Sequence, residues 1–279
     1  MSARRRPRDP SSIAGGVAVW LCGVGVVALA LWLIFLVAGA GLPDFLRTVV
    51  SPPVAAAIWR SAAIIALALP VTIAIAFFAG IAGAEPNLGG RTAAWLDTML
   101  PYGATIPAVT IGAATSLAWL DGFSGVRDLV RSHPVLSIAA ALVVLNLPRT
   151  TLRFRSILRA AGERWMTAAL AAGADALFAL RTATLRRAMP GLVGATSACA
   201  AQMLGETALA AIVLALATGG ALTIASPAPF AVHLWMQLQD GARIGDPSVA
   251  SQALLLMAAI LSLRLIGELL AGRRARLAA

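Results

Sequence analysis

The sequence predicts an all-α membrane protein with six transmembrane helices and a cytoplasmic loop between helices 4 and 5. Three observations predict it. Apolar residues make up 59% of the 279-residue chain and charged residues only 12%, where a soluble domain has roughly a quarter charged; the mean hydropathy is +0.86. The apolar residues fall in long blocks, and a helix needs about 20 such residues to cross a bilayer. All 22 basic residues are Arg, and most of them flank those blocks, as in a positive-inside topology. The net charge of +10 is therefore a topology signal. A nucleic-acid patch would need a soluble basic face to carry it, so a nucleic-acid partner is not expected.

The first span is Ile13 to Ala38, behind the basic head Arg4, Arg5, Arg6 and Arg8 of an N-terminal segment covering 1–12. A signal peptide also starts basic, but its apolar core is about 7–15 residues. This run is longer and reads as an uncleaved anchor. The second span runs from about Ser61 to Ala84 with Pro70 inside it, the third from Met99 to Leu120 with Pro101 and Pro107 inside, and the fourth from Pro134 to Leu147. The fifth is Gly191 to Ala217 and the sixth Val249 to Ala271, so that 13–271 forms one membrane domain and 272–279 a basic tail. Interior prolines are compatible with spans because neighbouring helices can satisfy the freed backbone groups.

The arginines orient these spans. An inside N-terminus collects Arg4, Arg5, Arg6, Arg8, Arg91, the eight arginines from Arg149 to Arg187, and Arg273, Arg274 and Arg276 on the cytoplasmic side; the outer side collects Arg47, Arg60, Arg127, Arg131 and Arg243. That imbalance predicts both termini in the cytoplasm. The longest outer segment, Thr218 to Ser248, contains an amphipathic piece, Phe230 to Leu238, which Trp235 could anchor at the interface. It reads equally as a lid on the outer surface or as a dock for a soluble partner.

Cys22 and Cys199 lie singly in apolar runs, and His133 and His233 stand alone. Isolated thiols at such depth read as small packing residues. No metal site and no cofactor are expected.

Between spans four and five lie about forty residues, from Pro148 to Pro190 (loop 149–190), too polar to cross and too apolar to be disordered. Ala168 to Ala172 has high helix propensity, Gly173 breaks it, and Ala174 to Met189 places Leu177, Leu180, Thr184 and Leu185 on one face at helical spacing. Two short helices joined at a glycine make a knob whose apolar face must be buried. It either packs on the chain's own helix ends or fits a groove on another subunit.

Glu206 lies about fourteen residues into span five, roughly 20 Å along a helix. An ionisable group at such depth is costly and usually functional. It is expected to be protonated or paired with an Arg, for which Arg264 or a partner's Arg is the candidate. Thr196, Ser197, Gln202 and Thr207 give the same helix a polar stripe, which reads either as interhelical packing or as a pathway lining.

Thr167-Ala-Ala-x-x-x-Gly173, followed by Ala183-x-Leu185, resembles the coupling-helix motif of ABC-importer permeases of the MetI-like superfamily. Gly205-Glu-Thr-Ala208 is similar to the tetrapeptide of the phosphate-importer permeases of PstA and PstC type, as is Ile106-Pro-Ala-Val-Thr-Ile-Gly112, and Leu69-Pro70 with Ala84-Glu85 fits their second span. The resemblance covers about Trp59 to Leu216. The chain departs from it where Thr167 stands for Glu, Arg186 for Pro, Gln202 for Arg and Leu152 for Arg.

The resemblance implies a permease subunit of a bacterial inner-membrane importer for phosphate or a related oxyanion. Thr167, Ala168, Ala169, Gly173, Leu177, Leu185 and Pro190 would couple to an ABC ATPase dimer, and Glu206, Thr207, Gln202, Pro107 and Thr110 would line the translocation pathway. A second permease subunit, of a different chain in the PstA/PstC pattern, and an extracytoplasmic substrate-binding protein complete the implied assembly. The chain has no Lys, and a Walker A loop needs one on the phosphates, so ATP hydrolysis is expected from a separate subunit and the chain is not expected to be an enzyme. An intramembrane enzyme would need converging acid, base or metal groups. The alternatives are a permease for molybdate, sulfate, phosphonate or another small solute, and a membrane scaffold that transports nothing.

Overall fold

The structure, a computed structural model, describes residues 41–84, 132–162, 165–217, 228–243 and 246–278, with scattered positions between 24 and 39 and the single residues 98 and 101. The predicted third span, with Pro107 and Thr110, lies outside the described residues, and the first is described only near its end.

Among the described residues every regular element is helical. In chain order these are α1 (Leu42–Val50), α2 (Pro52–Ala84), α3 (Pro134–Gly162), α4 (Trp165–Ala171), α5 (Ala176–Ala179), a π-helical turn (Leu180–Leu185), α6 (Arg186–Ala217), α7 (Phe230–Gln239) and α8 (Pro247–Ala278). Three stretches are long and apolar enough to cross a bilayer: Pro52–Gly83, Val135–Gly162 and Pro247–Ala271. A fourth is counted if the bent pair Ala30–Gly39 and α1, which meet at 104°, forms one span. The protein is an all-α, membrane-embedded chain. The fifth predicted span is also one unbroken helix, α6, but it is not among those three.

Helix ends differ from the sequence expectation in one direction: the helices are longer. α2 starts at Pro52, nine residues before the expected boundary, because proline is pre-organised for a helix start; Arg60 therefore lies inside a helix and not in an outer loop. α3 runs through Pro148 to Gly162. The segment expected to open the loop at Pro148 is instead the second half of α3, since an interior proline costs little where packed neighbours hold the helix. Pro70 and Pro190 are likewise interior to α2 and α6.

Packing of α2, α3 and α6 makes the core. Ile64 and Ala68 of α2, Ile138, Leu142 and Leu145 of α3, and Cys199 and Met203 of α6 form one buried cluster. Phe154 and Leu158 of α3 with Ala188 and Leu192 of α6 form a second. Small residues set the approach. A Cβ on Gly80 would sit 3.2 Å from the Cβ of Phe154, and one on Gly83 3.0 Å from the Cδ and Nε of Arg155. With no side chain on Gly83, Arg155 Nε (2.9 Å) and Arg159 Nη2 (3.2 Å) donate to its carbonyl. Cations on the last carbonyls of a helix also suit its dipole, so α3 clamps the end of α2.

The α6–α8 contact is tighter still. A Cβ on Gly267 would lie 2.5 Å from that of Ser197 and 3.3 Å from the Gly194 carbonyl oxygen, the small-residue packing that lets membrane helices touch. Gly267→Val is expected to push the two helices apart and cost about 1–3 kcal/mol, the usual price of overpacking, seen as a lowered thermal midpoint in detergent. An unchanged midpoint would mean that α8 does not pack on α6 in this way.

α7 buries Phe230, Ala231 and Val232, and Val232 joins the first core cluster. Phe230 joins Val54 and Ala57 of α2, and its backbone N–H donates to the buried Ser61 hydroxyl at 2.7 Å. One face of this helix is thus covered by the chain itself.

Gln252 Nε2 donates to Gln237 Oε1 (3.0 Å), and Gln237 Nε2 lies 3.1 Å from His233 Nε2. With the Gln237 amide nitrogen as donor, His233 Nε2 accepts, which suits a neutral ring. Burial lowers the His233 pKa below 6.5. With the folded value below the unfolded one, the unfolded chain takes up the proton first as pH falls. The His233 contribution is complete above about pH 6.5 and is lost as pH drops toward the folded pKa. His233→Gln is expected to flatten the fall in thermal midpoint between about pH 7.5 and 5.5; an unaltered slope would show that His233 titrates normally.

Candidate functional site

Two polar pairs at helical spacing meet between α3 and α6. Asn146 and Arg149 are three residues apart on α3, and Gln202 and Glu206 four apart on α6, so each pair shares a helix face. Arg149 Nη1 donates to Glu206 Oε1 at 2.9 Å, Gln202 Nε2 donates to the same oxygen at 3.1 Å, and Asn146 Nδ2 donates to Glu206 Oε2 at 3.0 Å. The Arg149 and Glu206 side chains are 29% and 18% exposed. The carboxylate is thus held by three donors from two helices, in a charge-assisted pair stronger than a neutral hydrogen bond.

Asn146 itself is fully buried. Its Nδ2 also donates to the Leu142 carbonyl at 3.0 Å, while its Oδ1 has no partner. An unmatched buried acceptor is uncommon in folded proteins. Beside it, Thr150 Oγ1 donates to Cys199 Sγ at 3.3 Å. The cluster is polar, and its one ion pair balances its formal charges.

The partner of Glu206 is Arg149, not Arg264. Arg264 is exposed on α8, on the rim of an apolar cavity. Of the polar stripe on α6, only Gln202 reaches Glu206. Thr207 is fully buried with its hydroxyl on the Met203 carbonyl (2.7 Å), Thr196 bonds the Leu192 carbonyl (2.8 Å), and Ser197 bonds the Leu263 carbonyl of α8. These three hydroxyls serve helix backbone.

A short helix, a glycine turn and a second helical start follow α3, but the second piece is the four-residue α5, which runs on through the π turn into α6 instead of forming a separate helix. α4 ends in a left-handed glycine, Gly173 at φ 84°. Gly173 N–H donates to the Leu170 carbonyl and Ala174 N–H to the Ala169 carbonyl, each at 3.0 Å, which is a Schellman cap. Asp175 then caps α5 by accepting from Leu177 N–H.

The predicted apolar face of the knob divides. Leu180 and Thr184 are buried and Leu185 is half-buried; Leu180 and Leu185 cluster with Met166, Ala179 and Ile81 of α2. Leu177 and Phe178 point out, at 68% and 62% exposed. Thr167 and Ala168 are exposed, Ala169 is half-buried and Pro190 is buried inside α6. The guanidinium of Arg187 stacks over the Trp165 ring at 3.6 Å, fixing α4 against the start of α6.

Sequence reasoning missed two features. Asn146 and Arg149 were signalled by their i,i+3 spacing astride Pro148, but reading the proline as a helix end put Arg149 in a loop. The π turn carries no such signal. It fuses α5 to α6, so the chain is helical without interruption from the knob to Glu206, and Arg186 to Glu206 alone spans about 30 Å. No protein-family model matches the chain, and no curated protein matches it.

Proposed function

We propose that the chain is a permease subunit of an ATP-driven ABC importer in a bacterial inner membrane, with both termini cytoplasmic, carrying phosphate or a related oxyanion through half of a translocation pathway. One observation carries this reading: the exposed tip at Leu177 and Phe178 and the Glu206 end of the Arg149–Glu206 pair lie on a single helical run with a π turn in it, while Arg149 faces Glu206 from α3. A push on the tip therefore reaches the pair without crossing a loop. π turns recur at functional positions in helices, and this one gives the run a place to yield.

The tip is apolar and ringed by the exposed Arg181, Arg186 and Arg187, so the groove that receives it should be apolar with an acidic rim. Such a groove belongs to the ABC ATPase dimer. A second permease chain completes the pathway, and a binding protein brings the solute to the outer side. Since the Arg149–Glu206 pair is neutral as it stands, an oxyanion would take Arg149 by displacing Glu206, and helix movement would open that exchange.

Replacing Phe178 by Asp is expected to lower ATP-dependent phosphate uptake at least about tenfold, equivalent to roughly 1.4 kcal/mol, with the protein still in the membrane. Competition with sulfate, molybdate and phosphonate then ranks the substrate. Full uptake in Phe178→Asp would remove the coupling role, and uptake insensitive to every oxyanion would remove the substrate class.

A further inference from the structure

The cavity between α7, α8 and the helical stretch Ala30–Gly39 is separate from the site above. It measures about 410 Å³, within the range of about 300–1,000 Å³ that takes a small ligand. Leu33, Leu234, Ala253, Leu256 and Ile260 line it, and one charged residue, Arg264, completes the wall. The contribution of α8 runs from Ala253 to Arg264, about 16 Å along the helix, with the charge at one end and only apolar side chains along the rest.

Among the described residues Arg264 has no hydrogen-bond or ion-pair partner. It lies seven residues before the end of the apolar stretch Pro247–Ala271, about 10 Å along the axis. That depth is within reach of a snorkelling side chain at the level of lipid headgroups.

We infer that this cavity is a binding site for an anionic phospholipid, with one acyl chain along Ala253, Leu256 and Ile260 and the headgroup phosphate on Arg264. The charge distribution selects this occupant. A phosphate offers the guanidinium a bidentate partner, and basic pockets between membrane helices are a recurring form of lipid headgroup site. A neutral lipid would leave Arg264 unmatched. A partner transmembrane helix satisfies its own backbone, so it would need an acidic side chain of its own to meet Arg264, whereas an anionic lipid carries the phosphate and the apolar chain together.

The test is native mass spectrometry of the purified full chain, delipidated and then titrated with phosphatidylglycerol or with phosphatidylcholine of the same chain length. The wild type should retain phosphatidylglycerol over phosphatidylcholine by about fivefold, the ratio expected from one basic residue near the surface. Arg264→Gln should bind both equally, and Arg264→Lys should keep part of the preference. Ala253→Trp should fill the cavity and lower retention of both lipids; Ala253→Leu, a milder filling, serves if the tryptophan variant does not fold. No headgroup preference in the wild type, or an undiminished preference in Arg264→Gln, would overturn the assignment. Undiminished lipid retention in the filled variants, or a cross-link from a cysteine at 253 to a second membrane protein in place of lipid, would also overturn it.

Discussion

Gly173→Pro is expected to abolish uptake while leaving the chain inserted in the membrane. Gly173 holds φ 84°, and proline is fixed near −65°. The substitution also deletes the N–H that closes the cap on the Leu170 carbonyl. Both losses fall on the link between α4 and α5. Nothing lies within 4 Å of a Cβ at this position, so no part of the core is displaced. Where the native conformation excludes the new residue, the cost exceeds the roughly 0.4–1 kcal/mol that a compatible Pro substitution gains. The expected result is a displaced tip, a drop in uptake of more than about tenfold, and normal amounts of protein in the membrane fraction. Gly173→Ala, which can reach a positive φ at a cost of about 1–2 kcal/mol, should fall between the two. Wild-type uptake in Gly173→Pro would show that the knob geometry is not used.

The second large effect is expected at the ion pair. Arg149→Gln leaves Glu206 with two neutral donors, and Glu206→Gln leaves Arg149 without a counter-charge in a half-buried cluster. Stranding one member of such a pair costs about 1–3 kcal/mol. The double replacement, Gln facing Gln, should cost less than the sum of the singles, with a coupling of about 0.5–3 kcal/mol; thermal midpoints of the four proteins give that number. Additive effects would mean that the two side chains do not interact. Uptake separates structure from function. If Arg149 takes the anion, the double variant regains stability but not transport.

The residues show why some of this was legible in the sequence and some was not. Glu206 stood out because a carboxylate inside an apolar run breaks the pattern by itself. The knob stood out because Gly173 interrupts an Ala/Leu stretch and only glycine suits the conformation found there. Arg149 did not stand out. Local chemistry at Pro148 says that a helix ends, whereas burial of Phe154 and Leu158 against α6 holds α3 together past it; tertiary packing overrode a local signal. Likewise Thr207 and Gln202 look alike as polar residues on α6, and only the position of α3 decides that Gln202 meets Glu206 while Thr207 turns to its own backbone. The π turn lies where Leu180 and Leu185 pack beside Met166 and Ile81, a tertiary contact that spacing alone does not encode. Pro107 and Thr110, expected on the pathway, lie outside the described residues.

The most direct test of the whole account is site-specific photo-cross-linking in native membranes, from a reactive group placed at Leu177 or Phe178. A cross-link to an ATP-hydrolysing subunit, strengthened or weakened by nucleotide, is expected from the tip, and none to that subunit from Met236 on α7. Cross-links confined to this chain's own helices, or a nucleotide-hydrolysing partner captured at Met236 and not at the tip, would contradict it.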